Sequence, residues 1–466
     1  MIKRISFILP LGILIVVSCA YGFTHSLKPH ADTDKAEQLR KKINHIVVIY
    51  QENWSFDGLY GKFENARGLS DTVSTRQVGR KGEILFEYPK PYVEEANKKV
   101  DEHFVNVKTP THPYNLVEFL KSDTVMTGDL IHRYYTEQRQ INGGKMDKFV
   151  AWSNNPGLVQ SYFDASNLPE GKLAKEFTLC DNFFHSAFGG SFLNHIWLIT
   201  AASPKWLTAP KKIISDSIAT AASTWIYDNQ VDTDLYVINT TYSIYKPAAP
   251  AANYRNDVAN LMPGIQLPTI GDRLNEAKIS WAWYAGGWDD AMAGKADATF
   301  QYHHQPFVYF ENFKDGSENK KQHLKDETEF TKAIQNNKLP AVSFIKPLGK
   351  NNEHPGYADV RRGQQHVDSL VRRIMKSKYW DDTVIIIAYD ENGGRWDHVA
   401  PPKIDRWGPG SRVPAIIISP FAKKKNVDHT QYETVSILKF IETRFNLKPL
   451  SSRDAKANDL LNAFDF

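Results

Sequence analysis

Cysteine is scarce in this sequence: 466 residues hold only Cys19 and Cys180, so with an N-terminal leader set aside no intramolecular disulfide can staple the fold. Charge of one sign is scarce too. There are 57 Lys and Arg against 53 Asp and Glu, a net of +4, and so small a field argues against nucleic acid as a partner. No apolar run after Val17 reaches bilayer-spanning length, so no stable transmembrane segment is expected once a signal is removed. Fixed-period repeats and low-complexity tracts are lacking as well. The chain does have 42% hydrophobic and 24% charged residues, ordinary for a globular protein and incompatible with wholesale disorder. Its length suits one large α/β domain with insertions, or two domains.

The N-terminus reads as an export signal over residues 1–20. Lys3 and Arg4 make a short basic region, residues 5–17 are almost uninterruptedly apolar, and Ser18-Cys19-Ala20 supplies small residues for cleavage. Three fates stay open: cleavage after Ala20, lipidation of Cys19 within Val16-Val17-Ser18-Cys19, or retention as a signal anchor. The destination is periplasmic or secreted. Cys180, between Leu179 and Phe183-Phe184, reads as a small core residue rather than a nucleophile.

Further along, residues 32–42 read as a polar helix and 43–50 as a buried, parallel strand. Residues 70–115 and 205–262 read as irregular insertions, the first with a hairpin around Ile84, Phe86 and Tyr88. Helices are expected over 129–140, 192–202, 366–377 and 434–445. Strands are expected over 177–184, 279–284, 341–345, 383–389 and 415–419. Helices alternating with β-branched strands predict a layered α/β sheet.

In such sheets the ligand crevice lies at the carboxyl ends of the strands. Two apolar strands end there in acids: Ile46-Val47-Val48-Ile49-Tyr50 runs into Gln51-Glu52-Asn53, and Val384-Ile385-Ile386-Ile387-Ala388-Tyr389 into Asp390-Glu391-Asn392. Acids so placed need compensation, either from a divalent metal or as caps of the next turn; both readings stand. Gly189-Gly190-Ser191 precedes a helix, where Ser191 is a plain N-cap or a nucleophile activated by a metal, and Asn194 is placed to add a donor to a phosphoryl oxygen. His132, His303-His304, His354 and His398 stand in polar loops suited to phosphate contact or leaving-group protonation.

The motif Glu52-Asn53-Trp54-Ser55-Phe56-Asp57 resembles the opening of the bacterial phosphoesterase family that joins acid phosphatases and phospholipases C. Gly143-Gly144-Lys145-Met146-Asp147, Gly190-Ser191-Phe192-Leu193-Asn194-His195 and Asp390-Glu391-Asn392-Gly393-Gly394-Arg395-Trp396-Asp397-His398 continue the resemblance in order, so that it spans residues 43–466. His303-His304-Gln305-Pro306-Phe307 and Asn352-Glu353-His354-Pro355-Gly356-Tyr357 are similar to the acid-phosphatase branch. Trp54 stands where an Arg is common, and Leu193 where a Pro is common. Leu193 and His195 also depart from the sulfatase pattern, which argues against sulfate esters.

The resemblance implies an alkaline-phosphatase-like layered sheet with helices on both faces and the insertions forming a cap. It implies one divalent metal ion held by Glu52, Asn53, Asp390, Glu391 and Ser191, with Ser191 also the nucleophile. His132, His303, His304 and His354 would line the phosphate pocket, with Asn194 and His398 as further substrate contacts. The implied function is an exported acid phosphatase working through a phosphoseryl intermediate, with its histidines protonated. A phospholipase C acting on phospholipid diesters is the near rival, with Trp206, Trp225 and Tyr227 either packing or touching lipid. A non-catalytic binder of a phosphorylated ligand is the rival of another class.

Overall fold

The computed structural model describes residues 29–70, 74–94, 98–215, 229–247 and 261–466. The expected signal peptide, Cys19, Trp225 and Tyr227 lie outside them.

Eight strands form the main sheet: β1 (His45–Gln51), β2 (Thr178–Cys180), β3 (Trp281–Ala285), β4 (Leu324–Asp326), β5 (Val342–Lys346), β6 (Thr383–Tyr389), β7 (Ala415–Ile418) and β8 (Asn426–Asp428). Their spatial order is β8-β2-β7-β6-β1-β5-β3-β4. The β-branched run Ile46-Val47-Val48-Ile49 is fully buried and pairs in parallel on both sides, as an unbroken apolar strand should. Register sets the site. Gln51 lies opposite Tyr389 and Ile49 opposite Ile345, so the strands of the centre discharge their next residues at one edge. β7 runs antiparallel to its neighbours and makes the sheet mixed.

Helices cover both faces, and the two-residue period of β1 shows it. Tyr50 Oη donates to Asn194 O of the helix Ser191–Thr200 (3.4 Å) on one face. On the other, Gln51 Nε2 donates to Glu353 Oε1 (3.0 Å), and Tyr389 reaches Glu170 of the helix Pro169–Glu176.

Several expected elements shift. The helix expected over 129–140 is Tyr134–Ile141, because Arg133 is extended and Asn154 Oδ1 takes the Ile131 N–H at 2.7 Å. Residues 177–184 divide into β2 and Phe183–Phe184, which belong to different sheets. The helix expected over 366–377 begins earlier, at Val360, where the Asp359 side chain caps it through the Arg362 N–H. Of the two insertions, the described part of the second reaches the cavity beside Glu52, through Thr240 and Tyr242. Trp206 packs in the core, as does Cys180.

Candidate active site

Glu52 and Asn53 follow β1, and Asp390 and Glu391 follow β6; all four are fully buried. Asn53 adopts φ 83°, a left-handed turn that asparagine tolerates. Gly393 is needed opposite it, since a Cβ there would stand 2.3 Å from Asn53 O and φ is 60°.

Ser191 arrives from a third direction. At Gly189, with φ 92°, a Cβ would meet Tyr134 N at 2.4 Å, so only glycine makes the bend before the helix. Gly190 is the N-cap and Ser191 the first helical residue, which corrects the plain-cap reading: the helix has no side-chain cap, and the hydroxyl turns to the carboxylates. Ser191 Oγ lies 3.3 Å from Glu391 Oε1 and 3.4 Å from Asn53 Oδ1.

Three of the expected histidines, His132, His303 and His354, line one cavity of about 190 Å³ together with Glu52 and Ser191. His132 Nδ1–H donates to Leu130 O (2.6 Å), leaving Nε2 3.4 Å from Asn53 Nδ2 and 3.5 Å from Glu391 Oε1. His354 Nδ1 is likewise taken by Pro355 O (2.5 Å), and its ring stacks on Tyr357. His304 meets Glu52 Oε1 directly. Burial pushes the imidazoles of His132 and His304 down to about 4, and that of His303 well below its usual range. Above that pH His132, His303 and His304 are neutral, which differs from the expectation of standing imidazolium. A larger groove of about 590 Å³ runs along Phe86, Lys90 and His112, but no carboxylate cluster lines it.

Electrostatics single out the floor. Burial, and then their mutual repulsion, raise Glu391 well above the ordinary carboxyl range, and burial does the same to Asp390. Burial also opposes charge on Glu52, yet His304 and Lys346 beside it hold its carboxyl well below that range. Asp390 Oδ2 is buried without a directed hydrogen bond among the described residues, whereas Glu52 Oε1 already faces Lys346 and His304. Oxygen donors left open in this way fit a hard divalent cation. The groups Glu52, His195, Asp390 and Glu52, His303, His304 each bring donor atoms within 4.8 Å of one another.

Two expected substrate contacts are placed elsewhere. Asn194 is fully buried and folds back on the loop: its Oδ1 accepts the Ala187 N–H (3.0 Å) and its Nδ2 donates to Ala187 O (3.0 Å) and Gly190 O (3.3 Å). It shapes the bend before Ser191 and is unavailable to a phosphoryl oxygen. His398 pairs with Asp57, Nδ1 to Oδ2 at 2.6 Å, outside the cavity wall. Conversely, the sequence reading passed over residues that hold Glu52. Lys346 Nζ lies 2.9 Å from its Oε1, while Asn352 Nδ2 (2.9 Å) and Tyr357 Oη (3.1 Å) donate to its Oε2. His195 Nδ1–H donates to Ser191 O at 2.7 Å and lies 3.7 Å from Asp390 Oδ2. A lysine closing an apolar strand two places before a turn was the one available signal.

A family model described as "Phosphoesterase family" matches residues 43–448. Phospholipase C B of Mycobacterium tuberculosis (strain H37Rv) is 24% identical over 463 residues, covering 91% of this chain and 78% of that protein. The non-hemolytic phospholipase C of Pseudomonas aeruginosa is 23% identical, covering 91% of this chain and 58% of that protein. Non-specific phospholipase C6 of Arabidopsis thaliana is 32% identical over 468 residues, covering 91% and 72%. Among solved structures, a Pseudoalteromonas sulfatase aligns with TM-score 0.38 and 9% identity over 94% of this chain and 76% of its own. A Vibrio parahaemolyticus protein of the alkaline phosphatase superfamily aligns with TM-score 0.34 and 10% identity over 72% of each chain.

Proposed function

The chain belongs to the phosphoesterase family and is a phosphoric ester hydrolase; from that premise we propose that it is an exported acid phosphatase, hydrolysing phosphomonoesters through a phosphoseryl intermediate on Ser191 with one divalent ion at the carboxylate floor. Family membership sets aside the non-catalytic binder. The observation that carries the reading is the position of Ser191 Oγ, within 3.4 Å of both Glu391 and Asn53 and on the wall of a small, polar cavity.

Glu52, Asn53, Asp390, Glu391 and Ser191 would hold the ion, which when bound supplies Lewis-acid polarisation of a phosphoryl oxygen and of the serine hydroxyl. Ser191 Oγ attacks phosphorus in line, and its proton faces Glu391 Oε1, 3.3 Å away. His132, His303 and His354 donate to the equatorial oxygens and one of them protonates the leaving alkoxide, while His304, expected among them, pairs with Glu52 behind the cavity wall. Burial favours the neutral forms of His132 and His303 in the free pocket, so binding of a phosphate dianion takes up protons; affinity falls as pH rises, the direction an acid phosphatase needs. Water then attacks the phosphoserine and frees phosphate.

Phospholipase C action is a second reading, favoured by the names of the relatives. A cavity of about 190 Å³ ringed by histidines favours a monoester head with its second and third oxygens free. The two readings separate in one assay. The purified protein is expected to cleave a soluble aryl phosphate faster than phosphatidylcholine, and Ser191→Ala to lower both rates by about 10³-fold or more. A variant near wild-type rate overturns the serine mechanism, and a preference for phosphatidylcholine overturns the monoester assignment.

A further inference from the structure

Lys346 ends β5 and is fully buried, at 0% exposure. An ammonium so placed is costly unless a counter-charge meets it. Its Nζ stands 2.9 Å from Glu52 Oε1 and 5.5 Å from the centroid of the Tyr50 ring, with no directed hydrogen bond among the described residues. It is absent from the cavity wall, so it acts on the site through Glu52 rather than by touching substrate.

The carboxylate cluster has two sides. On one, Ser191 Oγ sits against Asn53 Oδ1 and Glu391 Oε1. On the other, Glu52 Oε1 faces Lys346 and His304, with His195 against Asp390 Oδ2. The donor atoms of Glu52, His195 and Asp390 lie within 4.8 Å of one another, close enough to hold a cation of their own. Lys346 already puts a positive charge there. The charge count agrees: Glu52, Asp390 and Glu391 bring three negative charges, Lys346 returns one, and the remaining two match a single divalent ion. Buried clusters close to neutrality are the stable ones.

Resting on the functional reading above, we propose that the Lys346 ammonium is a built-in cation that fills the Glu52 side of the cluster and limits it to one divalent ion. Removing it leaves one negative charge uncompensated beside the bound ion, among donors already within reach of one another, and a second ion enters in its place.

The test is a Mn²⁺ titration of the purified, chelator-stripped full-length protein, read by equilibrium dialysis and by electron paramagnetic resonance. Wild type is expected to saturate at one Mn²⁺ with the spectrum of an isolated ion. Lys346→Met is expected to take two, with the spectrum of a coupled pair, and Lys346→Arg, which keeps the charge, to stay at one. Lys346→Met saturating at one ion with wild-type affinity overturns the proposal, and so does a coupled pair in wild type. Should Lys346→Met fail to fold, wild type and Lys346→Arg carry the test, and a coupled pair in either overturns it. Wild type that binds no divalent ion would instead take down the metal-dependent reading itself, a result distinguishable from the others.

Discussion

Two groups of buried acids lie a few residues apart on the same two loops, and they are finished differently. Asp57 and Asp397 are closed. Arg412 Nε and Nη2 donate to Asp397 at 2.9 and 3.2 Å, Nη2 reaches Asp57 at 3.1 Å, and the backbone N–H groups of Asp57, His398 and Val399 take further carboxylate oxygens. In the other group Glu52 is met by Lys346, His304, Asn352 and Tyr357, but Asp390 and Glu391 are open. Asp390 Oδ2 has no directed partner among the described residues, and burial raises both carboxyls well above the ordinary range. The closed group ties the loop after β1 to the loop after β6. The open group, held in register by that tie, keeps its oxygens for a ligand. Acid clusters of similar composition thus separate by whether their lone pairs are spent.

The comparison breaks most visibly at Arg412. Replacing it by Leu leaves two buried carboxylates without their cation, a change expected to cost about 3–5 kcal/mol of stability by denaturant titration. A loss below about 1 kcal/mol would mean the closed group is not closed by charge. The open group should respond to ions instead. Adding a divalent cation to chelated protein at a hundred times its dissociation constant should stabilise it by about 2.7 kcal/mol. Unchanged melting across that titration would contradict an open cluster.

Those two clusters also show what was legible beforehand. The acids after β1 and β6 could be read because an apolar run ending in carboxylates has few physical explanations, and strand β6 and the helix Thr434–Phe445 fall on their expected residues. Ser191, His132, His303 and His354 line one cavity, and His304 meets Glu52 behind it. His398 and Asn194 stand beside the right motifs, yet their side chains point to Asp57 and to the Ala187 backbone, and motif position carries no direction. Lys346 carries only the weak signal of a cation closing an apolar strand. At the end of Val342–Lys346 it reads as a solvated strand terminus, and only the pairing of β5 with β1 brings it to Glu52.

A third buried group, two acids that share one tyrosine, sharpens the contrast at a smaller scale. Glu170 Oε2 and Glu353 Oε1 flank Tyr389 Oη at 3.1 and 2.9 Å, and burial pushes Glu170 from 4.5 up to about 7. Here a proton takes the place of a cation. The folded pKa exceeds the unfolded one, so the stability it contributes is full below about pH 4.5 and is lost as pH rises through about 7. Thermal melts should therefore weaken over that window, and Glu170→Gln should flatten the slope; an identical slope in the variant would show that Glu170 does not hold the proton.

The central claim is that Ser191, set among open carboxylates, carries the phosphoryl group. Mass spectrometry of protein quenched in acid during turnover of an aryl phosphate tests it most directly. The account predicts a phosphoryl group on the peptide bearing Ser191, absent when substrate is omitted. Steady turnover with that peptide unmodified, or with the phosphoryl group on a histidine, would contradict it.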